Sequence, residues 1–134
     1  MNLTKYRKIF LITSNRSEYG ILRNLIQNFK KSKKLKLNLI VTGAHLSKLF
    51  GYTVKEIIKD KNKIFHRIKI NQSNLKSEKA YLQSSKIISR FSKLFSKHRP
   101  DLILILGDRY EIFSVAIAAV FNNLPIAHLY GGDV

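Results

Sequence analysis

Apolar positions along the chain switch repeatedly between a period of about 2 residues and one of about 3.6, the repeats of strand and helix. Lys8 to Thr13 is a short apolar run that predicts a buried strand. Ile21, Leu22, Leu25, Ile26 and Phe29 then recur at helical spacing. Leu35 to Thr42 predicts a second strand, parallel to the first and ended by Gly43. Ala44 to Asp60 predicts short helical pieces interrupted at Gly51, with Thr53 as the cap ahead of Val54, Ile57 and Ile58. From Ile64 to Ile70 the pattern alternates, with Ile64, His66, Ile68 and Ile70 against Phe65, Arg67 and Lys69, which predicts a half-exposed edge strand.

A polar loop, Asn71 to Lys76, precedes a long helix opened by Ser77, with an apolar stripe of Ala80, Ile87, Ile88, Phe91, Leu94 and Phe95 and a stop at Pro100. Leu102 to Leu106 is apolar throughout, as a strand covered on both faces requires. Gly107-Asp108, a helix from Tyr110 to Phe121 and a fifth strand from Pro125 to Leu129 complete the pattern. Strands alternating with helices at this spacing predict an α/β fold, a doubly wound parallel sheet with right-handed crossovers.

Composition narrows the picture. A length of 134 residues accommodates a single domain, and a 45% hydrophobic content supplies a core in spite of the charge. The longest mostly apolar run, Ile112 to Leu124, is interrupted by Ser114, Asn122 and Asn123 and falls short of the ~20 residues of a membrane span. The basic start, Met1 to Lys8, leads into Ile9-Phe10-Leu11-Ile12, too short for a secretory signal, so a cytoplasmic protein without membrane partners is expected. The absence of cysteine excludes disulfides, thiolate metal sites and a thiol nucleophile.

The net charge of +17 raises polyanions as partners, but its placement matters more. Residues 1–100 hold 24 basic side chains against 4 acidic ones, whereas residues 101–134 hold Arg109 against Asp101, Asp108, Glu111 and Asp133. The densest block, Lys30 to Lys36, follows a helical pattern, where cations complement the helix dipole. A nucleic-acid-binding module is one reading of the basic part. It is disfavoured, because no basic recognition helix, zinc pattern or aromatic residues interleaved with the lysines accompany the charge.

The chemistry-bearing residues gather elsewhere. In an open α/β sheet ligands bind beyond the carboxyl ends of the strands. Those ends carry Ser14-Asn15-Arg16-Ser17-Glu18-Tyr19-Gly20, Gly43-Ala44-His45, Gly107-Asp108-Arg109-Tyr110-Glu111 and His128-Leu129-Tyr130-Gly131-Gly132-Asp133. Each has a structural reading: Ser17 and Asp108 as helix caps, the glycines as strand exits, His128 as a satisfied core histidine. Their convergence on one rim points to a site for an anionic ligand with acid/base chemistry. Arg16, in the first strand-to-helix turn, is the best phosphate candidate. Asp108 and Glu111 are candidate bases and His128 a proton donor or acceptor. No GxGxxG or GxxxxGK[ST] loop is present, which disfavours dinucleotide and P-loop chemistry.

These same segments, with Val41-Thr42-Gly43-Ala44-His45-Leu46 and Gly51-Tyr52-Thr53, resemble the hydrolysing UDP-N-acetylglucosamine 2-epimerases of sialic-acid and related bacterial sugar pathways. The resemblance runs almost from end to end of the chain. It implies a Rossmann-like domain that forms most of the amino-terminal half of a two-domain fold similar to the B-type glycosyltransferases. On this reading residues 1–134 are a partial amino-terminal domain, the carboxy-terminal domain is a missing partner, and the isolated chain is inactive.

The resemblance further implies removal of the C2 proton, elimination of UDP to a glycal and addition of water to give N-acetylmannosamine, with no cofactor. By position Asp108 and His128 look catalytic, and Arg16, His45, Arg109, Glu111 and Asp133 look substrate-binding. A homo-oligomer is implied for the full-length protein. Ser14 stands where many members have glycine, and Tyr130 where some carry an acid/base glutamate. A GDP- or UDP-linked diacetamido sugar as substrate, a non-hydrolysing epimerase, and a regulatory or scaffolding remnant remain open alternatives.

Overall fold

The computed structural model describes residues 5–70 and 79–132. The expected polar loop Asn71–Lys76, the helix start at Ser77 and the candidate Asp133 lie outside these residues. The order of elements is β1 (Arg7–Thr13), α1 (Arg16–Lys31), β2 (Leu35–Thr42), short 3-10 turns over Gly43–Leu46 and Lys48–Phe50, α2 (Val54–Lys59), β3 (Ile64–Ile68), α3 (Ala80–His98), β4 (Leu102–Leu106), α4 (Tyr110–Phe121) and β5 (Ile126–Leu129). All pairings are parallel, in the order β3-β2-β1-β4-β5. The doubly wound sheet expected from the pattern is the one observed, and its strand order reverses between β1 and β4.

Strand alternation divides the core into two layers. Ile9 and Leu11 of β1, Leu39 and Val41 of β2, and Leu104 and Leu106 of β4 pack with Leu22 and Ile26 of α1 and Ile57 of α2. Phe10, Ile12, Ile40, Ile103 and Ile105 turn the other way, onto Ile87, Phe91 and Phe95 of α3 and Ile112 and Val115 of α4. Continuous apolar runs in β1 and β4 therefore reflect burial on both faces. The helix caps differ from expectation. Asn15, not Ser17, caps α1, its Oδ1 accepting from the Glu18 N–H at 3.0 Å. Arg109, not Asp108, occupies the cap position of α4. Thr53 does precede α2, but its hydroxyl makes no cap bond and is bonded to His45 instead.

The edge strand β3 departs from a single alternation. Leu39 pairs with Ile64, but the next residue, Ile40, pairs with His66, so a bulge falls at Phe65. The extra residue reverses the facing of the later strand positions: Ile64 packs on the α1 layer and Ile68 on the α3 layer. The Phe65 ring lies against Phe10 and His98, with centroids 5.3 and 5.1 Å away. In α3 the expected stripe residue Ala80 is exposed, and Gln83 is buried, accepting a hydrogen bond from the Tyr110 hydroxyl at 2.8 Å. Among the described residues no helix is long and apolar enough to cross a membrane.

Candidate active site

The loops after β1, β2, β4 and β5 meet at the carboxyl edge of the sheet, above the point where the strand order reverses, where doubly wound folds bind ligands. They enclose an open cleft of about 540 Å³ whose lining includes Asn15, Arg16, Glu18, Asp108, Arg109 and Tyr130. Ile21 and Phe50, both substantially exposed, give it an apolar wall.

Arg16 is the first residue of α1, and its side chain is 73% exposed. Its Nε lies 2.9 Å from Oε1 of Glu56 on α2. Glu56 also faces Arg23, which bonds Asp60 at 2.8 Å, and Asp60 accepts from the Tyr19 hydroxyl at 2.6 Å. Burial, with Asp60 adding to it, pushes the Tyr19 phenol up to about 12, so it serves as a donor throughout the physiological range. This chain of pairs ties the start of α1 to α2 beneath the rim.

Arg109 and Glu111 act as a pair. The Glu111 carboxylate is buried and takes two contacts of 3.3 Å from the Arg109 guanidinium, which reaches outward into the cleft. Glu111 is thus a support beneath the rim rather than part of its lining. Asp108 is exposed and borders both the main cleft and a smaller groove that contains His128. His128 Nε2 lies 2.6 Å from the carbonyl oxygen of Gly107. A carbonyl only accepts, so Nε2 carries the proton and Nδ1 is the position left for acid/base work. Gly131 makes that placement possible, because a Cβ built there would collide with the His128 ring. His128 is exposed on β5, in contrast to the satisfied core histidine of the structural reading.

His45 is the candidate whose place differs most from expectation. It is fully buried, with Nε2 2.9 Å from the Thr13 hydroxyl and Nδ1 2.8 Å from that of Thr53. Burial lowers its pKa to about 4, so the ring is neutral. Both nitrogens are engaged, and His45 lies within the loop after β2, outside the lining of the cleft.

The sequence points to Glu18 only as part of a motif, yet it forms the cleft floor. Its Oε2 accepts from the Ser14 N–H at 3.0 Å and from the Ser14 hydroxyl at 2.9 Å. Burial raises its pKa despite these bonds and the nearby Arg109 charge. The serine found where a glycine is common therefore has a defined partner. The spacing Asn15-x-x-Glu18 is that of a capping box, a signal for a folded-back carboxylate, although here the carboxylate bonds Ser14 rather than Asn15.

Residues 27–134 match the family UDP-N-acetylglucosamine 2-epimerase. The chain is 41% identical over 128 residues to the GDP/UDP-N,N'-diacetylbacillosamine 2-epimerase (hydrolyzing) of Campylobacter jejuni, covering 96% of this chain and 33% of that protein. It is 37% identical over 127 residues to the polysialic acid biosynthesis protein P7 of Escherichia coli, covering 95% of this chain and 32% of the relative. A crystal structure of a UDP-N-acetylglucosamine 2-epimerase superposes with a TM-score of 0.83 at 20% identity, over 96% of this chain and 34% of the other, and so shares the fold. The chain spans about a third of the length of the curated relatives it matches. On the matched span and the fold together, the chain belongs to the UDP-N-acetylglucosamine 2-epimerase family.

Proposed function

We propose that the chain supplies one side of a cleft in which a nucleoside-diphosphate 2-acetamido sugar is epimerised at C2 with release of the nucleotide. The observation that carries this reading is the meeting of Arg16, Asp108, Arg109 and Tyr130 on one cleft, with His128 in the groove alongside. Arg16 and Arg109 take the diphosphate, and Glu111 steers Arg109. Asp108 and His128 Nδ1 handle protons. One base removes the C2 proton, the electron pair forms the C1=C2 bond, and the C1–O bond breaks as UDP leaves. Water then adds across the glycal, its oxygen to C1 and a proton to C2 from the opposite face, giving N-acetylmannosamine. The step needs no cofactor. Asp133 is assigned to the substrate side by family position, and His45 supports the site from below.

A second reading keeps the chemistry and changes the sugar to a GDP- or UDP-linked diacetamido one. The apolar wall of Ile21 and Phe50 favours it, since such a sugar presents more methyl surface, and so does the similarity to the Campylobacter jejuni relative. In both readings the remaining two thirds of the family length acts as a partner domain within a cytoplasmic, oligomeric enzyme, and the 134-residue chain does not turn over alone.

The test joins this chain to the remainder of the Escherichia coli relative in place of that protein's own matching segment, and assays UDP release in D2O. Free N-acetylmannosamine carrying deuterium at C2 is expected, lost by at least about 100-fold in Asp108→Asn, the scale of a general acid or base. A nucleotide-linked epimer as product contradicts the hydrolysing reading. Robust turnover by the chain alone contradicts its assignment as one side of a shared cleft.

A further inference from the structure

The floor of the cleft poses an electrostatic problem for an anionic ligand. Glu18 is only 7% exposed, borders the cleft and has a carboxylate with unequal oxygens. Oε2 accepts both bonds from Ser14. Oε1 has no hydrogen-bond donor among the described residues and sits 3.5 Å from the point where a Cβ on Gly107 would stand. It is therefore at the crevice between the exits of β1 and β4, where the strand order reverses.

The Arg109 charge acts on Glu18 from nearby, but no cation among the described residues bonds Oε1. The Arg109 guanidinium makes its bonds to Glu111, and Arg16 makes its bond to Glu56. Oε1 is an acceptor open to the cleft, with its partner position free for a group that can donate. A diphosphate cannot supply that group, since its oxygens are acceptors carrying the same sign of charge. A sugar hydroxyl or an acetamido N–H can.

We infer that Glu18 is a sugar-recognising residue whose Oε1 accepts a hydrogen bond from a hydroxyl or amide N–H of the ligand, with the diphosphate turned toward Arg16 and Arg109. The inference rests on the nucleotide-sugar reading above and adds to it the orientation of the ligand: the sugar over the β1/β4 crevice, the phosphates at the arginine rim. It also gives Ser14 a role, since its N–H and hydroxyl fix the carboxylate by Oε2 and so leave Oε1 as the oxygen presented to the cleft.

The experiment uses the fusion of this chain with the remainder of the Escherichia coli relative, labelled with 13C at glutamate carboxyls and titrated separately with UDP-N-acetylglucosamine and with UDP. The Glu18 carboxyl resonance is expected to move with the sugar nucleotide and to stay in place with UDP. Glu18→Gln is expected to weaken UDP-N-acetylglucosamine binding by roughly tenfold or more, the scale of a hydrogen bond to a charged group, and to leave UDP binding equal or tighter. Glu18→Asp, which keeps the charge and withdraws the oxygen, serves if the glutamine variant fails to fold. Loss of UDP and UDP-N-acetylglucosamine affinity in equal measure, or a Glu18 shift driven by UDP alone, overturns the role of Glu18 and leaves the functional reading standing. Binding of neither ligand by the unaltered fusion, or full UDP binding by its Arg16→Ala with Arg109→Ala variant, overturns the functional reading itself.

Discussion

At the scale of single residues, burial decides what a polar side chain can do. The His45 ring stays neutral down to about pH 4 when folded, against 6.5 for the ordinary group. Between those values the unfolded chain binds a proton that the folded chain does not, so this contribution is full above about pH 6.5 and is lost as the pH falls toward 4. The gap corresponds to roughly 3 kcal/mol. Glu18 acts in the opposite sense, because burial raises its carboxyl, and its share of stability is lost as pH rises past the ordinary 4.5. Urea unfolding from pH 7.5 to 5 is expected to show declining stability in the native chain and a flatter profile in His45→Gln; parallel profiles contradict the assignment. Gly43 offers a second check at this scale. It has a φ of +61°, and an added Cβ would lie 2.9 Å from the Ser14 carbonyl oxygen. Gly43→Ala is expected to cost about 1–3 kcal/mol, read from the same unfolding curves. The residue types at the rim were legible in the sequence, but the depth of each was not. Arg16, Asp108 and Arg109 reach the cleft, whereas Glu111 and His45 turn beneath it. Sequence distinguishes a strand exit from a strand middle, but the direction of a loop side chain depends on partners such as Thr13 and Thr53, distant in the chain.

At the scale of elements, the periodicity was informative wherever one rule governed the whole segment. Leu35–Thr42, Leu102–Leu106 and Tyr110–Phe121 have the bounds that the pattern predicts. β3 does not follow its pattern, because its bulge is set by register against β2 and leaves no break in the alternation from Ile64 to Ile70. α4 shows a related ambiguity. It is apolar nearly all round, so sequence could not say which side faces the sheet. The structure buries Ile112, Val115, Ala118 and Ala119 and leaves Phe113, Val120 and Phe121 exposed. Phe91→Ala in α3, at a fully buried ring, is expected to cost about 3–5 kcal/mol, and Phe113→Ala under about 0.5 kcal/mol. Equal costs by urea unfolding contradict the two-layer assignment.

At the scale of the whole molecule, the charge and the chemistry occupy different places. The basic excess belongs to residues 1–100, while the last 34 residues are net acidic and carry Asp108, Arg109 and His128. The exposed apolar face of α4, next to edge strand β5, has the character of an association surface. Concentration-dependent self-association is therefore expected in sedimentation, reduced in the double variant Phe113→Lys with Phe121→Lys; a monomer at all concentrations contradicts it. The proposed function places the nucleotide sugar at the β1/β4 rim and not on the lysine-rich surface. The most direct measurement maps backbone amide shifts as UDP-N-acetylglucosamine is added. Shifts confined to residues 14–18, 107–109 and 128–132 are expected, suppressed in Arg109→Ala. Shifts centred on Lys30 to Lys36, or an unchanged map in Arg109→Ala, would contradict it.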